Sequence, residues 1–155
     1  MPVVLRDARA GDVEGCVAVL VALPDYFTPS THDEVRRELT VGAAWVAEDG
    51  GEIVGFVLVE QRYPTSAEIT FAAVVRDRHR QGIGSRLVDT CLAALDARGV
   101  RYVEVKTLDA RAGYEPYVAT RAFWERHGFV QLDCIDPLPG WDAGNPAAIY
   151  VRGLR

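Results

Sequence analysis

Residues 67–87 read AEITFAAVVRDRHRQGIGSRL, and the segment divides into three parts. Residues 69–75 are apolar and β-branched enough for a buried strand. A charged loop follows, Arg76-Asp77-Arg78-His79-Arg80-Gln81, and Gly82-Ile83-Gly84 then opens a helix. A strand, a glycine turn and a helix N-terminus together make a phosphate cradle. The glycines let backbone approach the ligand, while the first helical N–H groups and the helix dipole point at the anion. Three arginines and a histidine beside the turn suit a ligand with several negative charges. Two commoner phosphate motifs are excluded. A P-loop needs a lysine after its last glycine, and the chain's one lysine is Lys106; the dinucleotide fingerprint fails at its third glycine, where Leu87 stands.

Working outward, residues 3–6 predict a short strand, and a helix begins at Asp12 with Val13, Cys16, Val17, Leu20 and Val21 at helical spacing. Two prolines bracket a loop over 23–29. Thr31, with Glu34 three residues on, predicts the cap of a second helix running through Val35 and Leu39. Strands over 44–48 and 52–61 flank Asp49-Gly50-Gly51, a hairpin signal. The second of these is apolar on both faces and so belongs in mid-sheet. A helix from Ile83 places Leu87, Val88, Cys91, Leu92 and Leu95 on one stripe and ends at Gly99. A strand over 100–108, a polar loop, a helix over 117–127 and two last strands, 129–135 and 147–151, complete the chain. This order is α/β.

At 155 residues the chain reads as one domain, residues 1–155. A net charge of −5 with scattered arginines argues against nucleic-acid binding. Cys16, Cys91 and Cys134 lack metal or redox spacing and read as buried, reduced thiols. The three histidines form no metal constellation, and His127 has a sufficient explanation at a helix C-terminus, where the dipole favours a cation. With no leader and no apolar run of spanning length, the expectation is a cytoplasmic protein with no membrane association.

The glycine turn resembles the acetyl-CoA-binding motif of the GNAT superfamily of N-acyltransferases, Q/R-x-x-G-x-G/A. Here it reads His79-Arg80-Gln81-Gly82-Ile83-Gly84, with His at the first position. Residues 117–129 resemble the family's second motif, N-x-x-A-x-x-L-Y-x-x-x-G-F. Gly128 and Phe129 match, Phe123 fills the apolar place, Thr120 replaces the small residue, Tyr117 stands where Asn is common, and Trp124 replaces the tyrosine. The resemblance implies a mixed, mostly antiparallel sheet flanked by about four helices, with parallel fourth and fifth strands splayed apart around the thioester arm. It implies acetyl-CoA as co-substrate, held by His79, Arg80, Gln81, Gly82, Ile83, Gly84 and Ser85. Thr120, Phe123 and Trp124 would lie beside the arm, and backbone N–H groups around Val74 and Val75 would meet the thioester carbonyl. A homodimer is the family's habit.

The Ala67-Glu68-Ile69 sequence resembles the histone-acetyltransferase branch, where a strand glutamate is the general base, so Glu68 is the candidate here. Loss of the phenol at Trp124 is tolerable on magnitudes. A thiol leaves with a reference pKa of about 8.5, whereas an alkylammonium near 10.4 must shed a proton, a deficit of about 4.6 kcal/mol at neutral pH. Tyr117 and Tyr114 are substitute acids. The acceptor site is expected from Asp25, Tyr26, Phe27, Glu60 and a late loop carrying Trp141, a mixture that suits a cationic small-molecule or peptide amine. Two alternatives stay open: a non-catalytic acyl-CoA-binding module, and an acyltransferase with another donor or an oxygen acceptor.

Overall fold

The computed structural model describes residues 2–154. Seven strands form one sheet in the order β1-β2-β3-β4-β5-β7-β6. They are β1 (Val4–Asp7), β2 (Ala43–Asp49), β3 (Glu52–Tyr63), β4 (Ser66–Val74), β5 (Tyr102–Leu108), β6 (Val130–Ile135) and β7 (Ala147–Gly153). The helices are α1 (Val13–Val21), α2 (Pro29–Leu39), α3 (Ile83–Ala97) and α4 (Pro116–Arg126). Only β4 and β5 pair in parallel; the other neighbours are antiparallel.

β3 lies inside the sheet because both of its faces are apolar. Val57 and Val59 join the core beneath α3, while Phe56 and Leu58 join the core beneath α1 and α2. The stripe Leu87, Val88, Cys91, Leu92 and Leu95 is buried as its spacing requires. Asp49-Gly50-Gly51 makes the hairpin, with φ of +59° and +87° at the two glycines, and Gly99 ends α3 at +87°.

Two local expectations change. Helix α2 starts at Pro29, with Thr28 as the residue before it, so Thr31 lies inside the first turn and not at the cap. Proline's fixed φ and missing N–H suit the first helical position, and this outweighs a capping box two residues on. Asp12 precedes α1 as expected, but its carboxylate accepts the Arg9 N–H, at 2.7 Å, and makes no cap bond to α1 itself. It takes two hydrogen bonds from Arg6, at 2.7 and 3.0 Å, which hold its carboxyl below the usual range and tie α1 to β1. Cys134 is half-buried on the edge strand β6, whereas Cys16 and Cys91 are buried.

One irregularity shapes the middle of the sheet. Leu58 pairs with Phe71 and Val59 with Ile69, so Thr70 is an extra residue in β4, a bulge. Its hydroxyl donates to Leu58 O at 3.3 Å. The ladder between β4 and β5 runs from Ser66↔Tyr102 only to Ile69↔Val105. The strands part where β4 bulges, and the sheet opens there.

Candidate active site

That opening belongs to a cleft of about 1170 Å³ that runs from the glycine turn, along the parted strands, to the loops over α2. At its first end the chain leaves β4, passes the charged loop and enters α3 at Gly82, where φ is +78°. The first intrahelical bond runs from Arg86 N to Gly82 O, at 3.0 Å. The amides of Ile83, Gly84 and Ser85 therefore have no acceptor within the helix. A Cβ added at Gly84 would meet the Phe123 ring at 3.4 Å, in ordinary van der Waals contact, so α3 and α4 lie close at this point. Arg80 has φ of +64°, a left-handed conformation that a side chain disfavours. Strain held at the cradle is a signature of a functional turn.

The charges of the loop are less available than the sequence suggests. Arg76 pairs with Asp25 at 3.0 Å, and Arg78 pairs with Asp49. Arg80 and His79 line the cleft; Gln81 is exposed, off its wall, and donates to Asp77 O at 3.2 Å. His79 does not reach outward. Its Nε2 lies 2.6 Å from Val74 O, bracing the end of β4.

Along the parted strands, the expectation for Val75 is corrected. Its N–H donates to Val54 O at 2.9 Å, on the β3 side. By antiparallel alternation, Val74 instead turns its N–H and C=O toward the opening. Thr120, Phe123 and Trp124 form the opposite wall. Trp124 is buried, edge-on to Phe123 and Phe129 with centroids 5.0 and 5.2 Å apart. It serves core and cleft together.

At the parting point stands Glu68, whose side chain is only 8 % exposed. An outward, solvated carboxylate is thus excluded, but its surroundings are not apolar. Arg62 Nη1 lies 2.9 Å and Lys106 Nζ 3.2 Å from Glu68 Oε1. Arg62 also holds Glu60, at 2.8 Å, and Lys106 reaches Glu104, at 3.6 Å. The chain's one lysine, set aside when the P-loop was excluded, belongs to the site.

Tyr26, Phe27, Glu60 and Trp141 line the other end of the cleft. Asp25 does not: it is exposed, paired with Arg76 and off the cleft wall. Glu34 and Glu38 of α2 join the wall instead. Burial pushes the Glu38 carboxyl above its ordinary range; Thr70 opposes the rise, and Glu34, Glu60 and Glu68 add to it. The spacing of Glu34 and Glu38, one turn apart on α2, was the available signal.

The tyrosines beside this end form a strap. Tyr117 donates to Tyr26 O at 3.2 Å, Tyr114 to Asp25 O at 2.7 Å, and Tyr26 to Pro116 O at 3.0 Å. Three phenols so fasten the loop after α1 to the start of α4. Burial pushes the Tyr117 phenol up to about 12, which makes it a poor acid. His127 also departs from expectation. It is largely buried, and its Nε2 lies 3.0 Å from Ser85 Oγ, at the cradle itself.

Among the described residues, no group of three or more His, Cys, Asp or Glu side chains is placed to hold a metal ion, and no helix is long and apolar enough to cross a membrane.

The same architecture recurs in solved structures. A GNAT-family protein from Desulfovibrio desulfuricans superimposes with a TM-score of 0.84 at 20% identity, covering 99% of this chain and 100% of that one. An aminoglycoside 6'-N-acetyltransferase complexed with coenzyme A gives 0.75 at 20% identity, over 98% and 97% of the two chains. A GNAT acetyltransferase from Elizabethkingia anophelis with acetyl-CoA bound gives 0.73 at 17% identity, over 97% of each. At such identities the likeness is one of fold. No curated protein sequence matches significantly. The model of the acetyltransferase (GNAT) domain matches residues 41–131. That is more than half of the chain, and the protein therefore belongs to the GNAT acetyltransferase family.

Proposed function

We propose that the protein transfers the acetyl group of acetyl-CoA to a primary amine by direct attack on the thioester. The observation that carries this reading is the cleft itself, which joins three unlike parts. Helix amides free of intrahelical acceptors lie at one end, the opening between β4 and β5 lies in the middle, and the buried Glu68 stands where the strands part. The diphosphate docks on the amides of Ile83, Gly84 and Ser85, with Arg80 beside it. The acyl arm lies in the opening between Val74 and Phe123, and the N–H of Val74 receives the developing oxyanion. The acceptor enters past Tyr26, Phe27 and Trp141. Its nitrogen bonds to the acetyl carbon, the carbon–sulfur bond breaks, and coenzyme A leaves as the thiolate.

Glu68 takes the ammonium proton, directly or through a water. Both cations sit on Oε1, which leaves Oε2 to accept it. The proton is needed again at the departing sulfur, but a thiolate is stable enough near neutral pH to leave unaided. A second reading, an acyl-CoA-binding module without turnover, draws on the same two cations and on Trp124 in place of the phenol.

Thiol release from acetyl-CoA across a panel of amines separates the two readings. The transferase releases thiol only with a competent amine, in step with acetylated product. Tight coenzyme A binding with no turnover on any amine would favour the binding module. No association with coenzyme A would overturn both.

A further inference from the structure

Ser85 and His127 are 42 residues apart in sequence, yet the hydroxyl and the imidazole Nε2 meet at 3.0 Å. Ser85 is the third residue of α3, and its amide is one of the three without an intrahelical acceptor. The ring of His127 is 12 % exposed and lies against Phe123, with centroids 4.5 Å apart. Asp89 of α3 faces Nδ1 at 3.7 Å. Arg126 neighbours His127 on α4, and Arg152 of β7 donates to the His127 carbonyl at 2.6 Å. Burial foremost, then Arg126 and Arg152, hold the imidazole below its ordinary pKa; Asp89 opposes them. The free protein therefore carries a neutral ring at neutral pH.

A neutral ring gives Ser85 the wrong polarity for a phosphate. In the Nδ1–H tautomer, which the Asp89 carboxylate 3.7 Å from Nδ1 favours electrostatically, Nε2 accepts the Ser85 proton, and the hydroxyl can offer an anion only lone pairs. A protonated ring reverses this. Nε2–H donates to Oγ, the Ser85 proton turns outward, and a positive charge stands behind it. Resting on the reading that acetyl-CoA docks at this turn, we propose that His127 is a positioning residue that couples diphosphate binding to the uptake of one proton, acting through Ser85.

The sign follows from linkage. The diphosphate favours the protonated ring, so the imidazole pKa is higher in the complex than in the free protein. Affinity is greatest below the free pKa, falls as pH rises through the window between the two, and is level above it. The free pKa lies below 6.5, so the window opens on the acid side of that value. A charge pair about 4 Å apart changes affinity from about fivefold, where bulk water screens it, to about a thousandfold near a protein surface, so the change should be about tenfold or more.

The test uses 3′-dephospho-coenzyme A, which keeps the diphosphate and lacks the phosphomonoester, whose own titration near pH 6 would confound the reading. Calorimetry runs from about pH 5.5 to about pH 7.5, in buffers of different ionisation enthalpy. The wild type should bind more weakly, by about tenfold or more, at the alkaline end and take up a proton within the window. H127Q, whose amide donates without titrating, should bind at every pH with little pH dependence and no proton uptake. S85A should lose the pH dependence as well, and it keeps the inference testable where H127Q does not fold. Equal pH dependence in wild type and variants would overturn the coupling and leave the co-substrate reading intact. Absence of binding at every pH would overturn that reading, and the coupling with it.

Discussion

The two ends of the cleft are built differently, and in the proposed reaction they would recognise by different means. At the glycine turn the proposed work falls to backbone: the amides of Ile83, Gly84 and Ser85 have no acceptor in the helix. Several side chains there are engaged within the protein, with His79 bracing Val74 O and Arg76 and Arg78 drawn into pairs elsewhere. At the acceptor end the work falls to side chains. Glu68 touches two cations, each of which reaches a second carboxylate. A substitution at the first end should therefore act on affinity for the co-substrate, and one at the second on the chemical step.

The largest expected effect tests the acceptor end. Glu68→Gln should lower kcat by about a hundredfold, the usual scale for loss of a general base, while acetyl-CoA affinity changes by less than about twofold. Pre-steady-state rates and calorimetry measure the two separately. An unaltered kcat would remove Glu68 from the chemistry and leave it as the anchor of Arg62 and Lys106. Loss of affinity instead of rate would break the division between the two ends.

What the sequence disclosed follows the same division. The turn and the α3 stripe were legible because their signals are local: glycines two residues apart, and apolar residues at helical spacing. The splay came from the family resemblance, since its cause, the Thr70 bulge, is a matter of cross-strand register and leaves no mark in β4 alone. Arg62 and Lys106 were missed because they lie six and 38 residues from Glu68, joined to it only by pairing of β3, β4 and β5. Strand alternation gives part of the signal, since Glu60 and Arg62 share one face of β3 and Glu104 and Lys106 one face of β5; the pairing of Glu68 with Glu60 and Glu104 brings those faces together. The misreading of Thr31 is of another kind: two local rules competed, and Pro29 at the first helical position outweighed the capping box.

A second prediction concerns Arg80, the side-chain exception at the backbone end. Arg80→Gly removes a guanidinium from the cleft wall and relieves the +64° φ. Loss of one charge-assisted contact should weaken acetyl-CoA binding about tenfold. Relief of strain and the greater freedom of glycine in the unfolded chain roughly cancel, so the melting temperature should move by less than about 4 °C. Binding and stability so come apart. Unchanged affinity would mean that the amides hold the diphosphate alone, which sharpens the contrast further.

The smallest effect is expected at Tyr117, between the two ends. With its phenol pushed up to about 12 by burial, donation to a thiolate of reference pKa about 8.5 is uphill by roughly 5 kcal/mol. The hydroxyl also has a fixed partner, Tyr26 O at 3.2 Å, in the strap that holds the acceptor loop to α4. Tyr117→Phe should cost about 1 kcal/mol of stability, from the lost bond, and change kcat by less than about threefold. Denaturant melts and the pH profile of kcat read the two effects independently. A drop of a hundredfold, with the basic limb of the profile displaced, would restore Tyr117 as the acid despite its burial. It would also mean that the thiolate, which magnitudes say can leave unaided, is held by the cleft in a form that cannot.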